Sequence, residues 1–584
     1  MGDWEINIIF AFQSNGLNKG GMAMKQLLKY SCLIVLMCLT ALMGQARTRT
    51  IHVDDVKNDL TKYLRQVGES CNRNDSVVLI FGSGSYTIDG SIVFKSHLAI
   101  KGEGAQRSTV IFDKGNDRPG FKAFTADCFI DVFGTPAQPL SLSISDISFR
   151  VKEHKGIWWD EKSNYLFKIR HCNSVNIHHI KSYNYNASLT NFDLQVCSNV
   201  NITDCDITNY NNSHNGGCLW LRGEMHNVNI KRNKIVKYGK DEAVAIFDRL
   251  VDHSKKYIRG KVNRTDIFIE DNEFYYGWDV KDKKKEPLCD MIVSLFTDHL
   301  SSEDRCMTSN FHLRGNKFHI NDICTRCIYV GFDPADDHRD IYIENNEIIH
   351  SPLSSNDPFY YSDIEIHDQS ASTDVIHING NSLKNDNAIV NKFGTTGFAF
   401  IVMRGGQVSI ADNRVVNNVT RNPQTGKPYG IELVWCKSDA NSIVSLTGNV
   451  CKGLDNIAHF GAWDAADSFS LYASNNYFAG NTRVLCESVR ELNLDFKGNT
   501  FSSKVEAFFL DGFAQNGTVM FRNNDVTVST GNGQFLARKQ QSQNRIDKLE
   551  IKNNVFKGVR SESEMLKNAT NVRKRKISNN TFTR

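Results

Sequence analysis

Five side chains able to move or hold a proton, Glu365, His367, Arg404, Glu432 and His459, fall in four successive short runs of this 584-residue chain. The runs are SDIEIHD (362–368), GFAFIVMRG (397–405), GIELVW (430–435) and NIAHFGAWD (456–464). Alternation of apolar and polar residues marks strands buried on one face. It places Ile364, Phe400, Ile431 and Ala458 inside and Glu365, Ile401, Glu432 and His459 in an outward column. Two residues on, a second outward column reads His367, Met403, Val434 and Gly461. Stacked as rungs ~4.8 Å apart, Glu365 and Glu432 stand two rungs apart, roughly 9.6 Å between backbones. That is near the ~6.5–9.5 Å between the acid and the base of an inverting glycosidase. His459, one rung from Glu432, is placed to tune it or share its proton. Glu365, Glu432, His459 and Arg404 therefore form the candidate catalytic set. His367, Trp435, Trp463 and Asp464 border it as candidate substrate contacts, since tryptophan faces suit the C–H surfaces of sugar rings. Polar residues on the open face of a sheet are also ordinary surface, and that reading competes with this one.

A second cluster lies upstream in TNFDLQV (190–196), GCLWLRGE (217–224) and DEAVAIFD (241–248). Here Trp220 and Arg222 are expected to face outward and touch substrate, beside Asp193, Glu224 and Asp248. Asp241 and Glu242 open the third run, where paired carboxylates bind calcium or act as acid and base. Neighbours on a strand diverge, so only a turn would bring both to one Ca2+.

Such strands need a frame that stacks them, and the chain supplies one by rewriting a single phrase. Asp266 to Phe274 reads DIFIEDNEF, or apolar-x-apolar-x-x-Asn-x-apolar. The same phrase recurs at Phe311/Leu313/Asn316/Phe318, at Ile341/Ile343/Asn346/Ile348 and onward to Ile577/Asn580/Phe582. Ile147, Ile180 and Cys205 hold the place of the Asn in early copies, and its spacing runs from 23 residues (476 to 499) to 44 (272 to 316). A repeat this uniform predicts one long solenoid rather than several domains. The expected fold is all-β, a single-stranded right-handed parallel β-helix. Its Asn is scaffold: the residue tolerates the left-handed backbone of a tight corner, and stacked amides can hydrogen-bond from rung to rung.

Upstream, Asp54 to Glu69 carries Val56, Leu60, Leu64 and Val67 at helical spacing, followed by Gly68. A short amphipathic helix there would cap the open end of a solenoid. Short apolar strands between glycine turns follow over 76–113, including Gly84-x-Tyr86-x-Ile88 and Leu98-x-Ile100-Lys101-Gly102-Glu103-Gly104. Helix, turns and repeat together resemble the right-handed parallel β-helix of the pectin-lyase-like superfamily, over essentially the whole mature chain. The resemblance implies a secreted carbohydrate-active enzyme on a complex or uronate-containing polysaccharide, either a glycoside hydrolase or a polysaccharide lyase. It also admits an epimerase, or a non-catalytic glycan binder of adhesin or tailspike type. Lyases of the superfamily remove the C5 proton of a uronate with a basic residue, often beside calcium; Arg222, Arg404 and Lys437 are the bases on offer. An arginine in that role needs a strongly shifted pKa. The Asp-His pair of pectate lyases and the Gly-His-Gly and Arg-Ile-Lys motifs of polygalacturonases have no counterpart. The resemblance thus implies fold and substrate class, and no catalytic residue.

Met24 to Ala46 reads as a signal peptide: Lys25 and Lys29, an apolar run from Leu33 to Met43, then Gly44-x-Ala46. The run is shorter than the ~20 residues of a membrane span. Lipid attachment at Cys38 is disfavoured by Leu36 and Met37 before it. The expected layout is an upstream extension (1–23), signal peptide (24–46), cap and first coils (47–115) and β-helix (116–584), exported to the periplasm or beyond. With 69 basic and 65 acidic residues the net charge is +4, too balanced for a nucleic-acid partner. The 13 cysteines left after cleavage are odd in number and irregular in spacing, which excludes a disulfide framework and suits small core fillers.

Overall fold

The computed structural model describes residues 46–56, 59–113, 128–152, 164–185, 189–211, 216–239, 242–248, 261–277, 291–297, 304–320, 326–350, 362–386, 399–421, 429–437, 441–461, 466–539 and 545–583. The leader-like segment before Ala46 lies outside them. Each full coil has three strands, as in Lys261–Glu270, Glu273–Gly277 and Met291–Phe296. Each strand pairs in parallel with its equivalents one coil before and one coil after. Ile267 lies between Val228 and Phe311, Phe274 between Ile235 and Phe318, and Val293 between Val244 and Ile328. Three parallel faces result, wound from one chain: the parallel β-helix that the repeat predicts. Some strands, among them Leu189–Thr203 and Ala507–Arg522, run unbroken from the third face round the corner into the first. The second-face strand, four residues in Lys317–Ile320 and six in Lys234–Gly239, overlaps the end of the repeat phrase and is too short to give a period of its own.

Inward residues of all three faces form one continuous apolar core; Ile364, Phe400, Ile431 and Ala458 belong to it as expected, with Phe192, Leu219, Val244, Ile328 and Phe508 on the third face of other coils. Ten of the eleven described cysteines are buried in the role of small apolar residues. The repeated asparagines form an unbroken side-chain ladder from Asn233 to Asn580, each Nδ2 donating to the next Oδ1 at 2.9 to 3.1 Å. Each ladder oxygen also accepts a backbone N–H from the previous rung, as Asn381 does from Asn346 at 3.0 Å. The left-handed backbone belongs instead to the residue before each ladder Asn: Asp271 (φ 56), Asn345 (φ 53), Asp412 (φ 56) and Gly448 (φ 68). The corner is the same in the early coils, where Asp146, His179 and Asp204 are left-handed before Ile147, Ile180 and Cys205. So the ladder Asn is held in place by its amide and its neighbour makes the bend. At Gly448 a Cβ would meet Asp412 Oδ1 at 2.2 Å, so a larger residue there would have to displace the Asp412 carboxylate.

At the amino end, Thr48–His52 adds a strand beside Ser76–Phe81, and the helix runs Leu60–Ser70. It starts later than the apolar spacing suggested because Asp59 caps it, accepting Lys62 N–H at 3.0 Å. Gly68 lies inside the helix, where a Cβ would strike Val93 O at 2.2 Å. The close packing of helix on strand Ile92–Phe94 requires that glycine. Strand His97–Gly102 pairs with Leu140–Ser145, with Leu98 beside Leu142. Among the described residues no helix is long and apolar enough to cross a membrane.

Candidate functional site

The third face carries both sequence clusters, and its register decides who meets whom. One outward column runs Ser294, Tyr329, Glu365, Val402, Trp435, His459, Leu485, Asp511. Glu432 does not belong to it: it pairs with Ala399 and Asn456, three residues before Trp435. The expected Glu365–Glu432 column is therefore corrected. The cause is a run without phase. GFAFIVM is apolar throughout, so alternation gives no register, and the structure buries Ile401 and Met403 with Phe400. The next pairing is regular, Ala399 with Glu432 and Ile401 with Val434, so Val434 turns into the core, and the irregularity between Ile431 and Glu432 displaces only the strand that follows. Phe509 is buried beside Phe508 at an irregularity in the pairing of its strand.

Glu365 is 1% exposed, and both its oxygens are engaged: Oε2 by Arg326 Nε, and Oε1 by Arg404 Nε at 3.3 Å. A carboxylate so clamped has no oxygen open to a glycosidic oxygen or a water. Its part is to orient two guanidiniums. Arg326 is the site residue the sequence reading missed, because it precedes the apolar run CIYVGF by one position. The same arrangement, an acid followed one rung on and two residues along by Arg, recurs as Asp131–Arg170 and Asp193–Arg222. His367 lies beside Arg404 on the second outward column and Tyr329 Oη at 3.3 Å. Burial, then the Arg404 charge, lowers its pKa.

Lys437 and His459 flank Trp435. The Lys437 ammonium nitrogen lies 3.8 Å from the centroid of the indole, and the His459 ring stacks on it at 5.4 Å and 4°. Burial, followed by the charge of Arg326, brings the Lys437 pKa down to about 7. His459 moves the other way. Burial alone would lower its pKa, but its Nδ1 bonds Glu432 Oε1 at 2.9 Å and its Nε2 stands 3.6 Å from Glu487, and these carboxylates raise it. Replacing Glu432 with Gln should therefore lower the His459 pKa, read as an earlier midpoint in an NMR titration of its ring protons. An unmoved midpoint would assign the shift to Glu487.

Trp435, occupied by these two groups and 9% exposed, supports them rather than stacking a sugar. Trp220 and Arg222 are likewise enclosed, 7% and 6% exposed. Arg222 pairs with Asp193 at 2.7 Å, accepts the Tyr165 ring and Trp220 ring as cation–π partners, and donates to Tyr165 Oη at 2.9 Å. They brace the sheet instead of meeting a ligand. Trp463, Asp464 and Asp241 lie outside the described residues. Glu242 is half-buried, and among the described residues no three His, Cys, Asp or Glu side chains converge as a metal site.

No family model and no curated protein matches the chain. Among solved structures it is similar to the A-module of a mannuronan C-5 epimerase from Azotobacter vinelandii, at 11% identity and TM-score 0.39, over 72% of this chain and 99% of that one. It is also similar to the catalytic unit of a GH87 α-1,3-glucanase from Streptomyces thermodiastaticus (12%, TM-score 0.35, 86% and 68%) and to tailspike protein 3 of bacteriophage CBA120 (10%, TM-score 0.22, 91% and 59%). The fold itself rests on the strand pairings above.

Proposed function

We propose that this chain is a secreted carbohydrate-active enzyme that cleaves a uronate-containing polysaccharide by β-elimination, with Lys437 as base. The observation that carries this reading is a lysine brought to a pKa of about 7, next to a pair of arginines clamped on one buried carboxylate. Elimination needs three things of its site: neutralisation of the uronate carboxylate, removal of the C5 proton, and a proton for the departing O4. Arg404 commits only its Nε to Glu365 among its described contacts, so its terminal nitrogens can take the uronate carboxylate and make C5–H more acidic. Near neutral pH a sizeable share of Lys437 is the free amine and accepts that proton. The C5–H electrons become the C4–C5 double bond as C4–O4 breaks. His459, whose pKa Glu432 and Glu487 raise against its burial, gives O4 its proton. Export is part of the same reading, supported by the leader-like stretch 24–46.

Incubation with a panel of polyuronates should generate the ultraviolet absorbance of an unsaturated uronate. Reducing ends without that absorbance would transfer the site to hydrolysis, and binding without cleavage would make the chain a glycan-binding β-helix.

A further inference from the structure

The third face holds a second carboxylate clamped by two arginines, five rungs along the same column from Glu365. Asp511 accepts from Arg483 at 2.8 Å and pairs with Arg538 at 2.8 Å. The register from Glu365 through Val402, Trp435, His459 and Leu485 to Asp511 puts the two acids about 24 Å apart by rung spacing. We propose that Arg483 and Arg538 form a distal anion subsite that holds a second carboxylate of one polyuronate chain lying along this face. The inference rests on the reading of Arg326 and Arg404 as the uronate site.

Exposure separates these two clamps from the other acid–arginine pairs of the same face. In Asp131–Arg170 and Asp193–Arg222 both partners are sealed, with the arginine side chains 9% and 8% exposed. At the two clamps the acids are buried while Arg404 is 36%, Arg483 24% and Arg538 55% exposed. Sealed pairs satisfy each other. Here the carboxylate fixes guanidiniums that are partly exposed, and a fixed guanidinium meets a carboxylate in its own plane with two hydrogen bonds. Trp435, with Lys437 over its ring, and His459 lie between the clamps on the column, so a chain gripped at both would cross the reactive residues. Two grips on one polymer act as one bivalent contact, worth far more than either alone when the ligand spans them.

The test measures binding in a Lys437→Met background, which prevents turnover, with polygalacturonate, polymannuronate and polyguluronate, their disaccharides, and carboxyl-reduced neutral polymer as probes. Arg483→Ala with Arg538→Ala should weaken the preferred polyuronate at least tenfold and leave its disaccharide unaffected. The double lysine variant should recover most of the loss, and circular dichroism melts confirm that each variant is folded. An unchanged polymer affinity in the double alanine variant would overturn the subsite, and so would equal binding of neutral polymer. A parent that binds no polyuronate removes the subsite and the functional reading together. A wild type that binds polyuronate without cleaving it removes only the elimination reading, and the arginine variants still decide the subsite.

Discussion

Lys437→Met should reduce elimination by roughly 10²–10⁴-fold in kcat, the usual contribution of a positioned general base. The same substitution should stabilise the protein. Lys437 keeps a lowered pKa of about 7 in the folded state against 10.5 for an ordinary lysine. Between those values the unfolded chain holds a proton that the folded chain has released, so stability rises with pH across that window and is lowest at and below its acid end. Methionine removes the titration and keeps the apolar stem over Trp435. Its melting temperature should exceed the wild type's at pH 7, with a gap that closes as pH approaches 10.5. A variant that is inactive but less stable at pH 7 would assign Lys437 to the scaffold. A stable variant with undiminished turnover would dismiss it as base.

The two titrations that bound activity run in opposite directions. Lys437 must be neutral, so the rate climbs with pH through about 7. His459 must be protonated, and its raised pKa carries the falling limb to higher pH than an ordinary imidazole would. The profile is a bell near neutrality, and Glu432→Gln should narrow it from the alkaline side.

How much of this was readable from the chain follows from which residues announce themselves locally. The ladder did, because Asn recurs at a fixed offset from paired apolar residues and needs no partner outside its own column. The inward set of the third face did, because Ile364, Ile431 and Ala458 alternate with their neighbours. The clamp on Glu365 did not: Arg326 and Arg404 reach it from rungs on either side, 39 residues from it in each direction of the chain. Nor did the position of Glu432, since the unbroken apolar run before it carries no phase from which its register with Ala399 could be read. Lys437 was only one of three candidate bases until burial and the charge of Arg326 singled it out.

Breaking the Asn ladder in mid-chain should produce the largest loss of stability available from a single small substitution. Asn381 is 1% exposed and makes every bond its amide allows. Its oxygen accepts from the N–H and the Nδ2 of Asn346, both at 3.0 Å, and its Nδ2 donates to Ile343 O at 2.8 Å and Asn413 Oδ1 at 3.0 Å. Alanine leaves donors on Asn346 and the carbonyl of Ile343 buried and unpaired, at about 1–3 kcal/mol for each orphaned group. Asn580→Ala is the internal control. That rung is half-buried, and water can replace its bonds to Asn554, so a loss of about 1 kcal/mol is expected. Because each coil touches chiefly its neighbours, the Asn381 lesion should also divide a cooperative unfolding curve into two urea transitions. Equal losses at Asn381 and Asn580 would mean that the amides contribute as ordinary surface bonds, and that the apolar core alone sets the register on which the Lys437 site depends.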